Sequence, residues 1–151
     1  MRDLMGGEMF MAGSYKFLEH TADVLFEASG DSFEEALEAA ADALFGTICD
    51  AGKVGERKVV EVSDKADNLE DLVAFTLSDL LSEMDAEELF LKRFKVDNFG
   101  KREGGFFIEG KAHGSEMNPA IGRTVVKGVT HGMLKVEEKK GKWKIRVLLD
   151  I

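Results

Sequence analysis

One cysteine, one proline, three asparagines and no glutamine occur in this chain of 151 residues. A lone thiol, Cys49, cannot close an internal disulfide, so the fold must rest on packing in a reducing setting, and a cytoplasmic location is expected. Cys49 ends an apolar helical pattern, where a small buried side chain suits it better than a nucleophile's role. The scarcity of amide side chains, with 32% charged residues, resembles heat-adapted composition, although seven methionines run the other way. No apolar run approaches the roughly 20 residues that cross a bilayer, so no membrane association is expected. Nucleophile elbows, phosphate-binding loops and dinucleotide fingerprints are all missing. His20, His113 and His131 lack the spacing of a zinc motif. A net charge of −9 leaves no global positive footprint for direct, tight binding of nucleic acid.

What is present reads as one domain. Residues 1–13 lack the apolar centre of a secretory signal and read as a flexible N-terminal extension, leaving 14–151 as the domain. The patterning predicts strands over 15–19 and 23–28, with Val24, Phe26 and Ala28 on one face and Asp23, Leu25 and Glu27 on the other. Ser32 and Glu35 form a capping box that opens a helix. Phe33, Ala36, Leu37, Ala40, Leu44, Phe45 and Ile48 make its apolar stripe, and Glu34, Glu35 and Glu38 read as a solvated face. A further strand is expected over 57–63, a turn over 64–68, and a second helix starting at Asp67 or Asn68, with stripe residues from Leu69 to Met84. Thereafter only strands follow, over 90–98, 106–113, 124–130, 134–138 and 143–151. Turns are expected at 101–105 and 138–142, and a loop at 114–122 around Pro119. This order predicts an α+β fold, with two main helices packed on one side of a mostly antiparallel mixed sheet.

Two carboxylates interrupt this scaffold. Asp23 follows His20-Thr21-Ala22 at the start of one apolar strand, and Asp150 stands next to the final Ile151 of another. If they converge, Asp23, Asp150 and the Ile151 α-carboxylate supply three hard oxygen donors, whose repulsion a divalent cation would relieve. From patterning alone, the favoured reading is that they are ordinary strand ends in separate places. Lys127 lies among Val125, Val126 and Val129 and reads as a mid-strand lysine of the edge type.

Three pieces of the chain together resemble the archease family. They are His20-Thr-Ala-Asp-Val, the helix opening Ser32-Phe-Glu-Glu-Ala with Ala43-Leu-Phe, and the close from Lys127-Gly-Val-Thr through Leu134-Lys-Val to Trp143-Lys-Ile-Arg-Val-Leu-Leu-Asp-Ile151. The resemblance implies a non-enzymatic accessory of the tRNA-splicing RNA ligase, which joins a 2′,3′-cyclic phosphate to a 5′-hydroxyl. Such an accessory promotes guanylylation and repeated turnover of the ligase. A chaperone-like modulator of a nucleic-acid methyltransferase is the alternative, and a metal-dependent phosphoesterase a third. The resemblance also implies a divalent ion, calcium ahead of magnesium or manganese, on Asp23, Asp150 and the Ile151 carboxylate. It assigns Lys127 to contact with the partner or its nucleotide, and leaves His20 a supporting role. One departure stands out: the family's Lys-Ala-Val-Thr-Tyr-His reads Lys127-Gly-Val-Thr-His-Gly here, so His131 comes one place early and Gly132 takes the histidine's position.

Overall fold

The computed structural model describes residues 13–18 and 23–151. The expected extension, apart from Gly13, and His20 lie outside the described residues. Gly13 is itself buried, close against the Ser29 and Glu35 carbonyl oxygens. The chain runs β1 (Ser14–Leu18), β2 (Val24–Gly30), α1 (Phe33–Ile48), β3 (Lys58–Ala66), α2 (Leu69–Glu87), β4 (Leu89–Arg102), β5 (Gly105–Glu116), β6 (Gly128–Lys139) and β7 (Lys142–Asp150). Single 3-10 turns lie at Ala51–Lys53 and Pro119–Ile121.

The architecture is α+β, with two helices and antiparallel pairing throughout the described ladders. The strands divide into two sheets, ordered β1-β2-β7-β6 and β3-β5-β4. Both helices pack against both sheets: α1 touches β2, β7 and β4, and α2 touches β6, β3 and β5. Each sheet therefore carries the helices on one of its faces.

Helix α1 begins where the sequence places it. The Ser32 hydroxyl accepts the Glu35 N–H at 3.1 Å, and the Glu35 carboxylate accepts the Asp31 N–H at 2.8 Å, which satisfies two otherwise orphaned donors. Eleven of its sixteen residues are buried, the signature of a helix covered nearly all round. The expected solvated acidic face is thus corrected. Glu38 is half-buried and accepts the Val96 N–H at 2.8 Å, beside one of two register shifts in β4. Asp42 is partly shielded, with Oδ2 out of solvent and unpartnered.

Other boundaries shift for local reasons. Residues 64–66, expected as a turn, extend β3 because Asp64, Lys65 and Ala66 pair with Ile108, Phe107 and Phe106. The cap of α2 is Asn68, whose side chain accepts the Asp71 N–H at 2.8 Å. Glu103-Gly104 and Lys140-Gly141 are tight hairpin turns with both residues at positive φ, the backbone of a two-residue turn matching strand twist.

Candidate functional site

The central strands β2 and β7 alternate as their sequences require. Val24 faces Leu149, Phe26 faces Val147 and Ala28 faces Ile145, all directed at the helices. The other face pairs Leu25 with Leu148 and Glu27 with Arg146, the latter joined by a hydrogen bond of 3.2 Å. Asp23, in a bend just before β2, and Asp150, the last residue of β7, lie one residue beyond the Val24–Leu149 pair, where alternation points both to the face away from the core. Directly opposed residues of an antiparallel pair hold their Cβ atoms about 4.5–5.5 Å apart. Asp23 is half-buried and Asp150 exposed. On the other flank of β7, Gly128 pairs with Asp150, and the Lys127 N–H donates to the Asp150 carbonyl at 2.7 Å.

The segment carrying Lys127 is not strand. Residues 124–127, expected within a strand, precede β6 as an extended loop, so the mid-strand placement of Lys127 is corrected. The reason lies in α1, whose last carbonyls need partners. The Arg123 N–H donates to Ile48 O at 2.8 Å and the Thr124 N–H to Thr47 O at 3.2 Å. The Arg123 guanidinium reaches Gly46 O at 3.0 Å. Amides that would otherwise extend the β6 ladder cap the helix instead. Farther along, β6 breaks register between Thr130 and Lys135. His131, Gly132 and Met133 are exposed there, and the His131 ring meets Phe75 of α2 edge-on at 6.3 Å.

Ile151 lies beyond the ladder and is 37% exposed, so the apolar face does not run to the last residue. Its α-carboxylate still follows Asp150 directly in the chain. The structure therefore brings Asp23, Asp150, Ile151 and Lys127 to one end of the β2-β7-β6 ladder. Among the described residues no group of three or more His, Cys, Asp or Glu side chains is placed to hold a metal ion. The donor set that fits one is two side-chain carboxylates on neighbouring strands plus a terminal carboxylate. Ligand oxygens 2.3–2.6 Å from a calcium ion lie at most about 5 Å apart, within reach of two directly opposed aspartates.

The two most strongly perturbed carboxyls, Asp42 and Asp64, lie elsewhere. Burial, then the Glu38 charge, pushes Asp42 up to about 7 against the pull of Arg93. Burial, then a hydrogen bond and the charge of Asp79, pushes Asp64 up to about 7. Sequence reasoning missed both, and the only available signal was an acid inside an otherwise apolar period. Cys49 is buried, with its thiol pushed up to about 11, as a structural filler requires. An open groove of about 500 Å³ lies on the outer face of the β3-β5-β4 sheet. Its Lys111 and Asp97 are paired at 2.9 Å and its Asn98 and Glu109 at 3.1 Å, so its polar groups are largely committed to one another.

Comparison with known proteins places this geometry. Residues 15–151 match the archease protein family. This chain belongs to the archease family. Protein archease of Methanosarcina acetivorans is 36% identical over 139 residues, covering 91% of this chain and 95% of that protein. Protein archease of Pyrococcus abyssi is 36% identical over 140 residues, covering 91% and 98%. The solution structure of a Methanobacterium thermoautotrophicum protein superposes with a TM-score of 0.79 at 29% identity, covering 91% of this chain and 98% of that one. A Thermotoga maritima archease, described as a possible chaperone, shares the fold with a TM-score of 0.57 at 23% identity, covering 90% and 96%. The archease fold is thus the two-sheet, two-helix arrangement described above, and no described helix is long and apolar enough to cross a membrane.

Proposed function

We propose that this archease-family protein is a non-enzymatic, cytoplasmic activator of the tRNA-splicing RNA ligase that joins a 2′,3′-cyclic phosphate to a 5′-hydroxyl, and that it works through a divalent ion held at the Asp23–Asp150 end. The observation that supports this reading most is the β2–β7 register, which carries two carboxylates to the same face beside the terminal carboxylate. All-oxygen donors suit calcium or magnesium rather than zinc. Asp23, Asp150 and the Ile151 α-carboxylate would hold the ion, which would supply a concentrated positive charge at the tip. Lys127 is exposed and fastened by its own amide to Asp150, so its ammonium is available to an oxygen of the partner or its nucleotide. The chain's own acidic character favours a basic protein surface over the RNA itself.

The test is to add the protein to its cognate ligase with GTP and metal and follow covalent guanylate on the ligase. Faster guanylylation supports the activator reading, and no acceleration by wild type overturns it. Acceleration unchanged in Asp150→Ala overturns the site assignment alone. A chaperone-like modulator of a nucleic-acid methyltransferase is a second reading, whose chaperone part alone is supported by the description of the Thermotoga relative as a possible chaperone. Co-purification with a methyltransferase, with indifference to the ligase, would select it.

A further inference from the structure

Strand β6 leaves its ladder at one place. Thr130 pairs with Leu148 and Lys135 with Arg146, so four residues of β6, His131 to Leu134, stand against the single Val147 of β7. An ordinary bulge adds one residue and re-aims a side chain; this one pushes a stretch of chain out beside α2. Leu134 turns back against the core, whereas His131, Gly132 and Met133 are exposed. The His131 ring meets Phe75 edge-on at 6.3 Å, and Phe75 and Met133 are each 40% exposed. Met133 is two residues past His131, about 7 Å of extended chain. A Cβ on Gly132 would meet only the Thr130 methyl, at 3.9 Å, so the fold does not demand glycine there, and its bareness leaves a notch between the flanking side chains. Apolar groups exposed singly need no explanation, but Phe75, His131 and Met133 form one exposed cluster across two elements.

Charge defines what the cluster fits. From residue 66 to 91 every ionisable side chain is acidic. Asp71 and Asp79 stand one turn to either side of Phe75, with Glu83 a turn further along. No acid of α2 is in an ion pair among the described residues. Asp85 and Glu87 lie in the last turn, which has no basic residue and where the helix dipole opposes negative charge. Lys135, just past the bulge, is already held by Glu137 at 3.1 Å. The cluster begins three residues from the Gly128–Asp150 pair, so a partner seated on that end covers both. A phosphate backbone or an anionic membrane would be repelled by the acids, and a second copy docked face to face would set α2 acids against α2 acids. A protein segment whose apolar side chains are flanked by Lys or Arg complements both the cluster and its rim.

We infer that the cluster of Phe75, His131 and Met133 is a docking surface for a basic, apolar segment of the partner protein, separate from any ion held at the Asp23–Asp150 end. The inference rests on the ligase reading for the identity of that partner. The experiment measures binding of the cognate ligase to wild type, Phe75→Ser, Met133→Ser and Ser82→Lys, at low salt and at roughly 0.5 M salt. Calcium is titrated into each isolated protein, and circular dichroism and sedimentation are run on each. Ser82 is exposed and about two turns from Phe75 on the same side of α2, so its substitution puts positive charge on the rim without touching the core. Ligase affinity should fall roughly tenfold in Phe75→Ser and several-fold in Met133→Ser, as apolar surface is no longer covered. Ser82→Lys should weaken binding at low salt, and the loss should shrink at high salt, where rim charges are screened. Calcium binding should be the same in all four. Unchanged affinity in Met133→Ser and in folded Phe75→Ser would overturn the docking surface. Equal or tighter binding by Ser82→Lys at low salt would overturn the basic character of its occupant. Met133 and Ser82 lie outside the core, so their variants decide the matter even where Phe75→Ser fails to fold. A wild-type dimer that Met133→Ser converts to monomer would assign the surface to self-association and overturn the inference. Wild type that binds the ligase without raising guanylylation would defeat the activator reading alone, the surface still being judged by the affinity ratios. Wild type that neither binds nor stimulates would overturn both.

Discussion

Replacing Asp42 by Asn should change the pH dependence of stability more than stability itself. Asp42 sits on α1 between the sheets, with Oδ2 out of solvent and unpartnered. Burial, then the Glu38 charge, lifts it from 3.8 to about 7, against Arg93. Between these values the folded protein keeps a proton that the unfolded chain has released. Stability therefore falls as pH rises from about 4 to about 7 and is level above that. At about 1.36 kcal/mol per unit, a rise of about three units is worth at most about 4 kcal/mol. Partial exposure of the residue reduces this to about 2–4 kcal/mol. An amide carries no such titration. Asn adds N–H donors beside an atom that has no partner, costing about 1–3 kcal/mol at every pH, so the decisive quantity is the change with pH. Denaturant unfolding at pH 4 and pH 8 should show the difference between Asp42→Asn and wild type moving by about 2–4 kcal/mol in the variant's favour at the higher pH. Tyr15 gives an independent readout, as the only tyrosine in the chain. Burial, then Asp42, raises its phenol, and Arg123 opposes. Asp42→Asn should lower the pH at which phenolate absorbance appears. A stability difference that stays constant from pH 4 to pH 8 would refute the reasoning.

Two further substitutions probe other points of the frame. Asp79→Asn should move the titration of Asp64 down by about one unit or more, since a like charge beside it is removed while burial remains; carboxyl-carbon NMR reads it, and an unmoved Asp64 would show that burial acts alone. Gly128→Ala should stabilise by about 0.4–1 kcal/mol in denaturant unfolding, because its Cβ would meet nothing within 4 Å and the family's usual residue there is alanine; destabilisation would mean that the neighbourhood of Asp150 is tighter than its geometry shows.

Local physics made much of this molecule readable from its sequence. The Ser32 cap is a contact three residues long, and the two faces of β2 and β7 follow from alternation, so both were visible without knowledge of the rest. Placement of Asp23 on the face away from the core followed from parity, whereas its nearness to the end of β7 required knowing that β2 and β7 are neighbours, about 120 residues apart in sequence. The second sheet was not legible, because nothing within a strand states which sheet it joins. That same ignorance made the acids of α1 look solvated: a helix covered by sheets on two sides half-buries both Asp42 and Glu38, and the helix's own sequence cannot report the second cover. Residues 124–127 misled for a related reason. Their β-branched pattern suits a strand, but the Thr124 amide is taken by a carbonyl of α1 and the Lys127 amide by Asp150. His20 lies outside the described residues, and its role stands as the resemblance implies it.

That Asp23 and Asp150 point to the same face depends on chain length more than on chain identity. Side chains along β2 and β7 can be exchanged for others of like polarity, and the two acids keep that face. Removal of one residue between Val24 and Gly30, or between Lys142 and Leu149, reverses the parity of that strand beyond the cut. A carboxylate would then point at the helices, and Val24 or Leu149 at the water. Related chains should therefore tolerate replacements throughout this ladder while carrying almost no insertions or deletions in it, with length variation collecting in the turns at Glu103-Gly104 and Lys140-Gly141 and in the loop around Pro119.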